Sequence, residues 1–517
     1  MPPHMNWPEF HASPPMAFTD VPGLQEGAVD DFEHSMGIEE FRKNAKDMVD
    51  WICDYYASNE KLPVRSEVEP GYLRPLLPKA APQHPENFGS IMQDVQSKIM
   101  PGITHWQSPN FFAYFPSNSS FPAMLGDMLS TALSTVGFCW IGSPATTELE
   151  TIVMDWLGKL LCLPTSFLAF DEQGKRGLGG GVIQGSASES TLVSVLAARA
   201  RVAPEHASKL VAYSSDQSHS SIKKACMVAG IPYVRIIPAS AEDDYALDPA
   251  ALREAIEEDL RNEDLIPFYV CATIGTTSSC AVDPIAEIGR ITRHYNLWLH
   301  VDAAYAGVTS MLPEYRHYFN GLELVDSFIT NGHKWLLTNF DCSCMWVQNA
   351  EPLKTALSLT PAYLRAKGNS LDYKDWQVPL GRRFRALKLW FVMRSYGTDN
   401  IKKFLRHHVQ LGQLFVSLIQ TDARLEIMAP PRWGLICFAI RGPNNDATNE
   451  ATAELLERIN KSGRAFLVHT ELSGRFVARM AIGGSLTQER HVRATWQLIS
   501  ECTTEVLAAR AKFHKGV

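Results

Sequence analysis

The chain has 517 residues, more than a single hydrophobic core normally serves, so at least two cores are expected. Its 45% hydrophobic and 20% charged content excludes a disordered or fibrous chain. A net charge of −8 with no long basic run excludes general attraction to nucleic acid or anionic membrane surfaces.

Residues 1–35 carry PP pairs and no sustained periodicity, which predicts a flexible leader. The first Lys or Arg is Arg42, and neither a signal peptide nor an Arg-rich transit peptide is expected. In EEFRKNAKDMVDWICDYYAS, residues Phe41, Ala45, Met48, Ile52 and Tyr55 step by 4, 3, 4 and 3. That is a helical stripe needing another surface to bury it, and a second subunit is one candidate.

Between about 150 and 345 the pattern alternates. KLVAYSS precedes SSIKKACMVAG, IPFYVCAT precedes DPIAEIGRITRHYN, and LWLHVDAAY and SFITN follow. Short β-rich apolar runs followed by amphipathic helices predict a mainly parallel sheet covered on both faces. In DPIAEIGRITRHYN, Asp283 is placed to cap the helix and Pro284 to open it. Beyond about 395, GLICFAIR and FVARMAI, the helix-like NEATAELLERINKSG between them and a long amphipathic tail predict a smaller α+β domain. No apolar run is long enough to span a bilayer.

The ten cysteines, at 53, 139, 162, 226, 271, 280, 342, 344, 437 and 502, lack disulfide-framework or CxxC spacing and read as reduced thiols of a cytoplasmic protein. Cys342 and Cys344 alternate as buried strand residues do, and no metal is expected there.

Ligands of open α/β sheets collect at the carboxyl ends of strands. There the sequence offers Asp216 and His219 after LVAYSS, Gly275, Thr276 and Thr277 after YVCAT, Asp302 after LWLHV, and Asn331, His333 and Lys334 after SFIT. A lysine and an acid converging near a glycine-rich turn match the needs of pyridoxal phosphate: an amine for the aldehyde, a carboxylate that keeps the ring nitrogen protonated, and donors for the phosphate. GLGGGVIQGSASES, 177–190, supplies such a turn, with Ser186, Ala187 and Ser188 opening a helix. It lacks the GxxxxGKS pattern of a nucleotide P-loop.

THWQSPNFFAYFP at 104–116, HVDAAYAG at 300–307, NGHKWLL at 331–337 and DYKDWQVPLGRRFRALKLW at 372–390 resemble the group II pyridoxal-phosphate decarboxylases, specifically the aromatic L-amino acid decarboxylases of plants and animals. The resemblance runs from about 36 to about 510. It implies the aspartate-aminotransferase-like fold type I of PLP-dependent transferases, with a mainly parallel seven-stranded sheet. It also implies an N-terminal helical dimerisation arm over 36–120, a large PLP-binding domain over 121–391, a small C-terminal α+β domain over 392–517 and an obligate homodimer with active sites at the subunit interface. By the same resemblance Lys334 carries the coenzyme, Asp302 pairs with its ring nitrogen and His219 stacks on the ring. Ser186, Ala187, Ser188, Asn331 and His333 lie near the phosphate, Ala304 lies under the ring, and Thr277, or adjacent Thr276, lies near it.

In SLTPAYLRAKGNSLDYKDW, Tyr363 matches the catalytic tyrosine that plant aldehyde synthases replace with phenylalanine. A phenol with a pKa near ~10 can return a proton to the substrate's α-carbon after carbon dioxide leaves, and a phenyl group cannot. His219 likewise matches the decarboxylase state, so both positions favour an amine product. Trp106, Tyr114, Phe115, Pro116, Val136, Phe138 and Phe340 match positions around the substrate and suit a flat apolar side chain. Gly381 matches the glycine of plant tryptophan decarboxylases where tyrosine decarboxylases carry serine, leaving room for indole. The expected reaction is L-tryptophan to tryptamine and carbon dioxide. Tyrosine, dopa or 5-hydroxytryptophan decarboxylation, aromatic acetaldehyde synthesis and a catalytically silent PLP-fold partner are the alternatives. Arg479 in FVARMAI is expected near the site entrance.

Overall fold

A computed structural model describes residues 36–359 and 371–513. The expected leader at 1–35 and Tyr363 lie outside the described residues. The chain divides into two compact units, one of 36–55 with 71–99 and one of 56–70 with 100–513 among the described residues. In the first, helix α1 (Ile38–Ser58, running into the second unit) has its predicted stripe only partly covered, with Phe41 60% exposed and Ala45, Met48, Ile52 and Tyr55 half-buried. Helix α2 (Phe88–Asp94) starts at Asn87, whose Oδ1 accepts from the Ser90 amide at 2.9 Å.

The second unit opens with helices α3 (Phe121–Leu133) and α4 (Pro144–Leu160), then builds a seven-stranded sheet from β1 (Gly180–Gln184), β2 (Leu210–Ser215), β3 (Tyr233–Ile237), β4 (Ile266–Thr273), β5 (Trp298–Asp302), β6 (Ser327–Asn331) and β7 (Ser343–Val347). The order is β1-β7-β6-β5-β4-β2-β3, and β7 runs antiparallel to both its neighbours. Helices α5 (Ala187–Arg199), α6 (Ser221–Val228), α7 (Pro249–Leu260), α8 (Ile285–His294), the single turn α9 (Gly332–Trp335) and α10 (Glu351–Leu357) fill the connections. Every residue of β1, β2, β5, β6 and β7 is buried, as expected of a sheet covered on both faces.

One predicted cap is corrected. Helix α8 begins after Pro284 with no side-chain cap. The Asp283 carboxylate turns inward and accepts from the buried amides of Leu247 (2.8 Å), just before α7, and Thr273 (2.7 Å), at the end of β4, two backbone donors that would otherwise be orphaned away from water.

Helix α11 (Arg385–Gln420) is broken at Gly397, whose φ of +67° takes it out of helical geometry. Beyond it, β8 (Leu425–Ile427), β9 (Leu435–Ile440), β10 (Val468–Leu472) and β11 (Arg475–Ala481) form a four-stranded sheet in the order β10-β11-β9-β8, packed with α12 (Asn445–Lys461) and α13 (Glu489–Phe513). This sheet has its own apolar core, which includes Phe415, Phe438, Leu455 and Ile499. Among the described residues no helix is long and apolar enough to cross a membrane.

Candidate active site

Sheet register fixes the frame of the site. Thr273 pairs with Asp302, Asp302 with Ile329, Asn331 with Ser343, and Ser343 with Gln184, so β4, β5, β6 and β1 end along one edge. Beyond β1, Ser186 caps α5, its Oγ accepting from the Glu189 amide at 3.2 Å, and the first amides of that helix have no intrahelical partner. Beyond β4, Gly275 holds φ +86°, and a Cβ there would sit 2.7 Å from Ala306 Cβ. Only glycine serves this turn without strain.

Beyond β6, Lys334 faces a cavity of about 830 Å³. Trp106, Tyr114, Phe115, Pro116, Ser117, His219, Thr277, His333 and Phe340 also line it, with Val468, His469, Thr470 and Arg479 from the four-stranded sheet. Of the predicted residues, Trp106, Tyr114, Phe115, Pro116, His219, Thr277, His333, Lys334 and Phe340 therefore converge, while Ser186, Ala187, Ser188, Asp302, Ala304 and Asn331 are not part of the cavity lining. Lys334 Nζ lies 5.3 Å from the Phe115 ring centroid. Burial lowers its pKa; nearby Asp302 opposes this and Arg479 adds to it. Asp302 is buried, and its Oδ1 accepts from the Ala304 amide at 3.0 Å.

Two histidines are held neutral. His219 Nδ1 accepts from the Ser221 amide (3.1 Å), so Nε2 carries the proton, and burial lowers the pKa of the ring. His333 Nδ1 accepts from the Cys342 amide (2.9 Å), and burial pushes its pKa down to about 4. Of the two adjacent threonines, Thr277 lines the cavity, while Thr276 is buried and bonded to Ser279 Oγ (3.0 Å) and the Ala281 amide (2.9 Å).

Val136, Phe138 and Gly381 do not line this cavity. They form a separate surface cluster, with the Gly137 amide bonded to the Arg382 carbonyl (3.0 Å) and the Lys374 amide to the Phe138 carbonyl (2.9 Å). A buried ion pair, Arg382 with Glu150, anchors it.

Arg479, expected near an entrance, is 3% exposed, with Nε and Nη2 unpartnered among the described residues and Nη1 3.4 Å from the Tyr114 carbonyl. Ser117, Val468, His469 and Thr470 were not foreseen. The alternation in VHTEL marks a strand but does not say what its edge faces.

The profile of the pyridoxal-dependent decarboxylase conserved domain matches residues 70–441. The chain belongs to this decarboxylase family. It is 49% identical to tryptophan decarboxylase 2 of Oryza sativa subsp. japonica over 93% of this chain and 98% of the relative. It is also 49% identical to phenylacetaldehyde synthase of Arabidopsis thaliana, over 90% and 96%. The structure of Oryza sativa TDC with PLP and tryptamine superposes with a TM-score of 0.89 at 43% identity, covering 92% of this chain and 99% of that one. The family's fold is the expected α/β fold type I, with one antiparallel strand in its seven-stranded sheet.

The decarboxylase's cofactor is pyridoxal phosphate, and the residues present fit it. A lysine of lowered pKa faces a cavity with a buried carboxylate beside it, and buried Asn331 Oδ1, at the sheet edge near the α5 N-terminus, has no partner among the described residues.

Proposed function

We propose that this pyridoxal-phosphate decarboxylase converts aromatic L-amino acids to arylalkylamines and carbon dioxide, with L-tryptophan to tryptamine the preferred reaction. The observation that carries the reading is Lys334 and Arg479 facing one cavity whose remaining wall is largely aromatic. A tryptophan side chain needs an apolar wall and its carboxylate a cation, and this wall offers both.

Lys334 would hold the coenzyme, Asp302 its ring nitrogen, His219 and Ala304 the two faces of the ring, Thr277 its edge, and Ser186, Ala187, Ser188, Asn331 and His333 its phosphate. Bound there, pyridoxal phosphate supplies an electron sink for the bond that breaks at the substrate's α-carbon. The protein decides which bond that is. Arg479, with two nitrogens unpartnered among the described residues, is the cation an incoming carboxylate meets. Trp106, Tyr114, Phe115 and Phe340 exclude water around it and orient the aromatic ring. Tyr363 returns a proton to the α-carbon, which selects the amine over the aldehyde.

The working enzyme is a homodimer. Trp106, Tyr114 and Phe340 are 40%, 50% and 61% exposed in a single chain, an open aromatic wall that a second copy would close. Val136, Phe138 and Gly381, away from their own chain's cavity, are the residues such a copy would contribute. Its ten free thiols suit the cytoplasm.

The test is to incubate purified protein and PLP with tryptophan, 5-hydroxytryptophan, dopa, tyrosine and phenylalanine, measuring carbon dioxide, amine, aldehyde and peroxide together. Amine equal to carbon dioxide, fastest with tryptophan, is expected. Peroxide and aldehyde in equal yield would mean an acetaldehyde synthase. Lys334→Ala should lose both turnover and the visible absorbance of lysine-bound coenzyme. If it kept that absorbance, Lys334 would not be the coenzyme lysine.

A further inference from the structure

The turn that carries Lys334 is gripped on both sides by buried side chains that the reaction does not use. On one side is Asn118, 1% exposed. Its amide donates to the His333 carbonyl (2.7 Å), its Oδ1 accepts from the Leu337 amide (3.3 Å), and its Nδ2 donates to the Gly483 carbonyl (2.8 Å). On the other side is His408, also 1% exposed, in the half of α11 beyond the Gly397 break. Trp335 Nε1 donates to His408 Nδ1 (2.8 Å), and His408 Nε2 donates to the Gly484 carbonyl (3.1 Å). The two grips end on consecutive carbonyls of the segment that follows β11, the strand bearing Arg479.

The geometry demands one protonation state of His408. Its Nδ1 must accept from an indole that can only donate, so the ring is the neutral Nε2–H tautomer. Burial keeps it neutral, pushing its pKa down to about 3. The same turn is braced by stacked rings: Phe115 on Tyr305 with centroids 3.8 Å apart and planes at 15°, and Tyr305 on Trp335 at 4.9 Å and 6°. Phe115 is the ring against which both Lys334 (5.3 Å) and the Arg479 guanidinium (5.4 Å) rest. Close approach depends on the glycines too, since a Cβ at Gly483 would lie 2.6 Å from Pro116 Cγ in the cavity wall.

We propose that Asn118 and His408 are positioning residues that lock the Lys334 turn to the Gly483–Gly484 carbonyls, so that the lysine and Arg479 hold one fixed spacing although one follows a strand of the seven-stranded sheet and the other lies in the four-stranded sheet. A coenzyme lysine must be aligned to within a fraction of an ångström, while a substrate carboxylate on Arg479 sets where the α-carbon sits. Without the tether each sheet's drift would move one of these groups against the other. Neither residue touches the cavity; both act through Trp335, His333 and Leu337.

The inference rests on the reading that Lys334 carries the coenzyme, so the test begins with the loaded wild-type enzyme and Lys334→Ala, whose visible absorbance judges that reading alone. His408→Phe then keeps the ring volume and removes both hydrogen bonds, while His408→Gln can accept and donate again. The expected signature for His408→Phe is a shift of ~0.5 or more in the pKa read from the absorbance of lysine-bound coenzyme, and a ~10-fold fall in kcat with KM within ~2-fold. His408→Gln should recover most of both. Asn118→Asp, which keeps the acceptor for Leu337 and sets a carboxylate against the Gly483 carbonyl, should give the same signature, and it serves as the readout if His408→Phe fails to fold. A wild-type absorbance pKa and kcat in either folded variant would overturn the proposal, as would a loss explained wholly by coenzyme release.

Discussion

At position 381 a Cβ would meet only Val136 Cγ1, at 3.8 Å, an ordinary contact, so a serine fits without moving the backbone. Gly381→Ser should therefore fold with stability within ~0.5 kcal/mol of wild type. If the position discriminates indole from phenol, its kcat/KM ratio for tryptophan over tyrosine should fall by ~10-fold, about the effect of one added group in an apolar pocket. An unchanged ratio would remove Gly381 from the substrate account. A different residue carries the pH argument. His300 is fully buried, its Nδ1 2.8 Å from Ser327 Oγ and its Nε2 unpartnered among the described residues, and burial pushes its pKa down to about 4. Above the ordinary histidine value of ~6.5 the ring is neutral both folded and unfolded and adds no pH dependence. As pH falls from there to about 4, only the unfolded chain takes up the proton, so stability is lost across that window. His300→Gln should flatten the slope of unfolding free energy against pH there by ~1.4 kcal/mol per unit and leave the slope above pH 7 alone. Denaturant melts at several pH values would read this, and an unaltered slope would show that the ring titrates normally.

At the scale of the element, helix α5 separates capping from coenzyme binding. Ser186 Oγ caps it, and its first amides are the proposed phosphate donors. Ser186→Ala should cost ~1 kcal/mol of stability through the lost cap. Ser186→Asp keeps a capping oxygen, so the apoprotein should melt near wild type, yet its charge should weaken PLP at least ~10-fold in a fluorescence titration. Equal PLP affinity in Ser186→Asp would place the phosphate elsewhere. The strand-then-helix alternation was legible because apolar runs and amphipathic stripes are local, and it delivered Asp302, His219 and Lys334 to their strand ends. What escaped depended on partners far along the chain. Asp283 looks like a cap beside Pro284, but it serves amides 36 and 10 residues away. The reversal of β7 carries no signal in SCMWV, since a strand buried on both faces reads the same in either direction. Asn118 and His408 stand 219 and 73 residues from the groups they bind; His408 falls on the buried stripe of α11 with Ile401, Leu405 and Phe415, but that stripe does not say what its ring bonds.

For the whole molecule the question is whether one chain holds a complete site. The predicted substrate residues fall into two groups: Trp106, Tyr114, Phe115, Pro116 and Phe340 beside Lys334, and Val136, Phe138 and Gly381 on a separate surface. Around the second group the surface is apolar, with Phe121, Leu125, Met128 and Leu129 forming an exposed stripe along α3 and Ile141 74% exposed. A monomer would leave this area in water at a cost of roughly 25 cal/mol per Å². A homodimer with shared sites makes a quantitative demand. Lys334→Ala chains lack the coenzyme lysine, and Gly381→Trp chains would block the site to which they contribute, so each homodimer should be inactive. In a mixed dimer, the Lys334 of the Gly381→Trp chain faces the normal Gly381 of the Lys334→Ala chain, which restores one site of the two. Random assortment makes half the dimers mixed, so co-expression should recover about a quarter of wild-type turnover per site. Mixing after separate purification should recover it only as fast as subunits exchange. If Gly381→Trp alone were fully active, or if co-expressed chains stayed as inactive as each alone, the two groups would not meet across an interface.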